Sequence, residues 1–202
     1  MKLDVTTILI KGVTAAALSV FLYRAVEAWH LYHRPNLILL ALAEGITVIL
    51  VLIARKPEAV RTEPTALFVT GVATFYYLFI YLGPGHEFLE PLWTELLQTI
   101  GILLQIWGKI TLGNRFGLLP ARRGIVTHGP YRLVRHPIYT GYLINHIGFM
   151  LASFSWHNLM LLAGQYLAQG LRIIKEEEVL SEAPEYRDYK KKTRWRMVPF
   201  IF

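Results

Sequence analysis

Residues 37–54 read LILLALAEGITVILVLIA, eighteen residues with a single charge, Glu44. That length approaches the ~20 apolar residues a helix needs to cross a ~30 Å hydrocarbon core, so the stretch predicts a transmembrane helix. Residues 66–82 (ALFVTGVATFYYLFIYL) and 92–112 (LWTELLQTIGILLQIWGKITL) have the same character, and residues 7–23 form a weaker span interrupted by Lys11. Residues 138–171 contain no Asp, Glu, Lys or Arg over 34 positions. As one helix that run would extend about 51 Å, far more than a bilayer needs. It reads instead as a helical hairpin turning near Ser153–Asn158, where polar residues and Trp156 suit an interface. The predicted fold is all-α and integral to the membrane: four spans plus a C-terminal hairpin, five to six transmembrane helices in one domain.

The composition agrees. Of the 202 residues 54% are hydrophobic and 17% charged, against ~25% charged in an ordinary soluble domain. The formal charge is +7, from 21 basic and 14 acidic residues. Nucleic-acid binding could use that surplus, but such a protein would not carry long uncharged apolar runs. The absence of cysteine removes disulfides, thiolate metal sites and cysteine nucleophiles together. Asp4 and Lys11 spoil the basic-then-apolar order of a signal peptide.

Lys and Arg positions orient the chain. The 54–64 loop carries Arg55, Lys56 and Arg61, while the 83–91 turn is acidic. Arginines 115, 122, 123, 132 and 135 lie between Gly113 and Pro137 with no acid among them, and eight basic residues follow from Arg172. These three regions are expected on the cytoplasmic side, with 83–91 opposite. A 24–36 loop would then lie outside despite Arg24 and Arg34.

The chemistry is expected in residues 108–202, with residues 1–107 supplying N-terminal spans. Residues 112–141, LGNRFGLLPARRGIVTHGPYRLVRHPIYTG, hold five glycines, three prolines and three aromatics, unlike a plain helix. A connection this long between two spans is usually functional or disordered, and its apolar and aromatic residues argue for order. Arg135-His136-Pro137 ends an extended stretch, and Pro137 can open a helix. His136 and Tyr139 then stand at a helix N-terminus, which suits an anionic group. A second cluster, Arg172 and Glu176-Glu177-Glu178, follows the uncharged hairpin directly. Arg172 and Glu176 can pair at i, i+4, leaving Glu177, about 100° around the helix, free to face something else. Taken singly, the arginines could hold headgroups, His136 could be structural and the glutamates a solvated face.

The string from Thr127 to Gly141, THGPYRLVRHPIYTG, resembles the signature of the integral-membrane S-adenosylmethionine-dependent methyltransferases, which include the isoprenylcysteine carboxyl methyltransferases and the phospholipid N-methyltransferases. The upstream LGNRFGLLPARRGIV is similar to both groups. The ending from Arg172 through Glu185–Lys191 to Val198-Pro199-Phe200-Ile201 is similar to the isoprenylcysteine branch. The resemblance covers about residues 108–202. It implies that His136, Pro137, Tyr139 and Gly141, with His128, Gly129 and Tyr131, form the cofactor site, which Glu176 and Glu177 close. It gives Arg172 and Glu177 the catalytic parts and sets Arg172, with Asn145, on the acceptor. The implied methyl donor is S-adenosylmethionine without a metal. The implied acceptor is a lipid or prenylated amphipath, most directly a carboxylate of the isoprenylcysteine type, with a phospholipid amine as the alternative. Where the eukaryotic prenylcysteine enzymes have a histidine, this chain has Arg122-Arg123. The expected location is a prokaryotic cell membrane with the active site and C-terminus cytoplasmic; nothing fixes an oligomeric state.

The seven histidines are scattered rather than clustered as di-iron chemistry requires. A lipid reductase would need a dinucleotide site, and no GxGxxG follows a strand. A transporter draws support from Glu44 in mid-span, yet the chain has no internal symmetry. Glu44 can equally be half of a buried interhelical pair.

Overall fold

The computed structural model describes the backbone of residues 5–202 and the side chains of residues 11–202; Asp4 lies outside them. Among the described residues there are seven α-helices: α1 (Val5–Tyr32), α2 (Pro35–Ile53), α3 (Pro64–Phe75), α4 (Pro91–Leu112), α5 (Pro137–Ala152), α6 (Trp156–Leu180) and α7 (Pro184–Lys192). Five of them begin on a proline, whose missing N–H costs nothing in a first turn. The start of α6 is fixed differently: the Ser155 hydroxyl accepts the backbone N–H of Asn158. Among the described residues two helices are long and apolar enough to cross a membrane, α2 and α4 with its continuation to Arg115. The predicted hairpin is present as α5 and α6, turning at Ser153–Ser155.

Two sequence expectations are corrected. Residues 24–36 are not a loop: α1 continues to Tyr32, and only His33 and Arg34 separate it from α2. Residues 66–82 are not one helix either. Regular α structure stops at Phe75, a single tight turn covers Tyr76–Leu78, and the chain then leaves the helix. The broken end of α3 is received by two side chains from elsewhere in the chain. From inside α1, the Arg24 guanidinium donates to the carbonyls of Tyr77, Leu78 and Ile80. The Asn158 amide clasps the backbone N–H and C=O of Tyr81. Together they satisfy the backbone groups that the broken helix exposes.

The loops collect at the two ends largely as the charges indicated. At one end β1 (Ala59–Val60) pairs antiparallel with β2 (Ala121–Arg122), tying the 54–64 loop to the 113–136 segment. The C-terminal segment joins them, because the Arg135 and His136 backbone N–H groups donate to the carbonyls of Trp195 and Arg196. At the other end His86 bridges Phe154 in the α5–α6 turn, and Arg34 lies 3.8 Å from Glu87.

The helices α4 and α5 meet backbone to backbone. A Cβ on Gly101 would come within 2.4 Å of the Asn145 nitrogen, and one on Gly141 within 2.6 Å of the Gly101 carbonyl oxygen. Gly108 and Gly148 continue this seam, as small residues do where membrane helices approach closely.

Between α2 and α4 lies a buried ion pair. Lys109 Nζ is 3.3 Å from Glu44 Oε1, with Lys109 wholly buried and Glu44 4% exposed. Lys109 also donates to the Ala43 carbonyl. Of the two readings of Glu44, the interhelical pair is the one observed. Replacing Lys109 alone with Met strands a buried carboxylate and should cost about 3–5 kcal/mol, whereas Lys109→Met with Glu44→Gln should recover most of the loss. Thermal unfolding of the purified single and double variants checks this.

Candidate functional site

A large cavity runs from the end that carries β1 and β2 into the helical interior. Its empty volume is about 1650 Å³ including its open mouth. Its outer part is polar, walled by Arg123, Tyr131, His136, Tyr139, Glu176 and Tyr186. Arg172 stands at the inner edge of this part, and beyond it the wall becomes mixed, with Tyr76, Tyr142, Asn145, His146 and Gln165 among apolar groups.

The glutamates on α6 are used in different ways. Glu176 lines the cavity, and its Oε2 accepts the Tyr139 hydroxyl at 3.0 Å. Glu177 lies behind the wall, 3% exposed, and joins three segments. Arg135 holds it with two contacts of 2.6 and 3.2 Å, and His136 Nε2 lies 3.2 Å away. Arg196 Nε donates at 3.1 Å and Lys190 Nζ stands at 3.9 Å. The same Arg135 also donates to the carbonyls of Thr193 and Arg194. Glu177 is thus the fastening of a strap, residues 193–202, that closes over the start of α5.

Burial pushes the Glu177 carboxyl up, but the hydrogen bonds and charges of His136 and Arg135 outweigh it and hold the group well below the usual carboxylate range. Its contribution to stability is therefore complete above its ordinary value of 4.5 and is lost as pH falls below that. The midpoint of thermal unfolding should hold down to about pH 5 and decline as the pH falls further, and Glu177→Gln should flatten the decline.

Arg172 does not pair with Glu176, although the i, i+4 spacing allows it. Tyr139 stands between them, its hydroxyl on Glu176 and its ring 5.4 Å from the Arg172 guanidinium carbon. The guanidinium instead reaches the Leu118 carbonyl at 2.6 Å and the Thr74 hydroxyl at 3.3 Å, and its Nε is buried without a partner. The start of α5 is not an open anion seat either. The N–H groups of Tyr139 and Thr140 turn back to the His136 carbonyl, and the strap carbonyls take those of Arg135 and His136.

Of the residues picked out from sequence, Tyr131, His136, Tyr139, Asn145, Arg172 and Glu176 share the cavity wall. The others stand elsewhere. Gly141 belongs to the α4–α5 seam, and Gly129 takes φ +60° against Thr111 and Trp107. Pro137 is fully buried, and His128 is exposed. Tyr186 was missed as an individual residue: its hydroxyl is buried without a partner, and burial keeps both this phenol and that of Tyr131 well above their ordinary pKa, as neutral hydroxyls. No local pattern marks Tyr186, because α7 reaches the cavity only through tertiary packing.

Residues 89–185 match the model of the family described as phospholipid methyltransferase. The match takes in all of α4, most of which lies upstream of the motif resemblance, covers both sides of the α4–α5 seam, and stops at the start of α7. No curated protein matches the chain.

Proposed function

Since the chain belongs to the integral-membrane methyltransferase superfamily, we propose that it transfers a methyl group from S-adenosylmethionine to an anionic, membrane-embedded amphipath. The observation that carries this reading is a single cavity that joins an outer chamber of charged and phenolic groups to a mixed interior of apolar, amide and tyrosine side chains, with Arg172 between them. The polar chamber suits the cofactor. Glu176 can face its cationic groups, Tyr131 and Tyr139 offer ring faces, and the unpartnered Tyr186 hydroxyl offers a donor. When bound, S-adenosylmethionine supplies an electrophilic methyl group on a sulfonium.

The chain's own residues position and exclude water. Arg172, braced by Leu118 and Thr74, has a free Nε–H for a carboxylate or phosphate. The strap fastened by Glu177 covers the start of α5 and keeps solvent from the chamber. A carboxylate acceptor brings no proton, so alignment and a dry site can supply most of the acceleration. We read α1–α6 as the membrane bundle, with the strap and the 113–136 segment cytoplasmic. Carboxylate methylation of the isoprenylcysteine kind is the reading Arg172 favours. The family match favours a phospholipid amine, whose phosphate Arg172 could equally hold.

Labelled S-adenosylmethionine should bind the purified protein and bind more weakly to Glu176→Gln. Offered a total lipid extract and, separately, a prenylated cysteine, the protein should label one of them. Absence of cofactor binding would overturn the reading.

A further inference from the structure

Three polar side chains form one stripe on α6, and none is fully satisfied. Gln165, Gln169 and Arg172 stand at i, i+4 and i+7, which places them on one face of a helix. All three line the cavity, at 2%, 3% and 5% exposure. Gln165 Oε1, Gln169 Nε2 and Arg172 Nε are buried without a hydrogen-bond partner. Gln169 approaches the Tyr139 hydroxyl, whose proton goes to Glu176 and whose oxygen lies near the Gln169 amide without completing a hydrogen bond to its Nε2. Asn145 adds a third amide to the wall from α5.

Resting on the proposed reaction, we infer that the methyl acceptor is an amide-bearing amphipath. Its anionic head lies at Arg172 and its amide within about 10 Å of that head, the rise from Arg172 to Gln165 along α6. A carboxamide side chain offers a donor and an acceptor together, and an amide in the ligand answers both. An ester could accept from Gln169 but has no donor for Gln165. A plain hydrocarbon answers neither and would leave buried polar groups unpaired. Beyond the stripe Leu18, Phe21, Leu40, Ile80 and Phe149 offer apolar wall for a tail, beside the polar Asn36, Thr47 and Gln98. The polar stripe is thus a selector for the portion of the ligand between head and tail.

Two probes matched in length separate this from the alternatives: N-palmitoylglycine, which has an amide next to its carboxylate, and nonadecanoic acid, which has none. Titrated into the full purified chain, N-palmitoylglycine should bind about tenfold more tightly, the discrimination expected when polar groups in a site are answered rather than left unpaired. Combining Gln165→Leu with Gln169→Leu should bring the two affinities to within about twofold, with nonadecanoic acid bound as well as before or better. Equal affinities in the unaltered protein, as when water alone fills the cavity, would overturn the inference, as would a preference that survives the double substitution. The readout is binding, so its failure is distinct from failure of the methyl-transfer reading, which appears as loss of S-adenosylmethionine binding.

Discussion

Glu177→Ala is expected to lower the thermal unfolding midpoint by about 10 °C and to abolish measurable S-adenosylmethionine binding. Removing one partner of a buried ionic cluster typically costs 3–5 kcal/mol, because the remaining charges stay buried without compensation. For a chain of this size each kcal/mol corresponds to about 2–4 °C. The charges left behind are those of Arg135 and Arg196, and with them goes the fastening of the strap to α6. Glu176→Gln is the informative contrast. Glu176 lies on the cavity wall with one tyrosine partner, so its loss should weaken cofactor binding while leaving the midpoint within a few degrees. An unchanged midpoint in Glu177→Ala would remove the strap from the account.

Arg172→Ala is expected to reduce kcat/KM by about 10- to 150-fold, because a hydrogen bond from a charged donor contributes roughly 1.5–3 kcal/mol. Cofactor affinity should change less than about threefold, since Arg172 stands at the inner edge of the polar chamber. Arg172→Lys keeps the charge but not the fork that spans Leu118, Thr74 and an acceptor, and should recover only a small part of the activity. A parallel fall in cofactor affinity and thermal midpoint would instead assign Arg172 a purely structural part through its bond to Leu118.

The sequence made legible those features that depend on near neighbours. The hairpin of α5 and α6 follows from an uncharged run too long for one helix. The helix opening at Pro137 follows from the local rule for prolines. The gathering of loops at two ends follows from the placement of charge. What it concealed depends on partners far along the chain. Nothing near Tyr76 announces that α3 stops there, because the groups that receive its frayed end belong to Arg24 and Asn158. The i, i+4 spacing of Arg172 and Glu176 promised a pair, but Tyr139 on another helix stands between them. The sequence left Glu177 free to face something other than Arg172, and what it faces is Arg135, His136 and Arg196 of its own chain, all distant along it. Gly141 sits inside a motif associated with cofactor binding, yet its own contacts are with the backbone of α4. A motif can therefore include residues that bring the site-forming helices together as well as those that touch a ligand.

The pairing of Glu44 with Lys109 bears on how the chain enters the bilayer during synthesis. An ionised residue at the centre of an isolated transmembrane helix is penalised by about 3 kcal/mol at the translocon. α2 is apolar enough to insert while carrying Glu44, but its acid has no counter-charge until Lys109, 65 residues later, has been made. During that interval α2 is better kept near the insertion machinery than released into lipid. The arrival of α4 neutralises the acid and lets both helices partition together. A nascent chain halted before Lys109 should crosslink persistently to the translocon through α2, and one halted after α4 should be free of it.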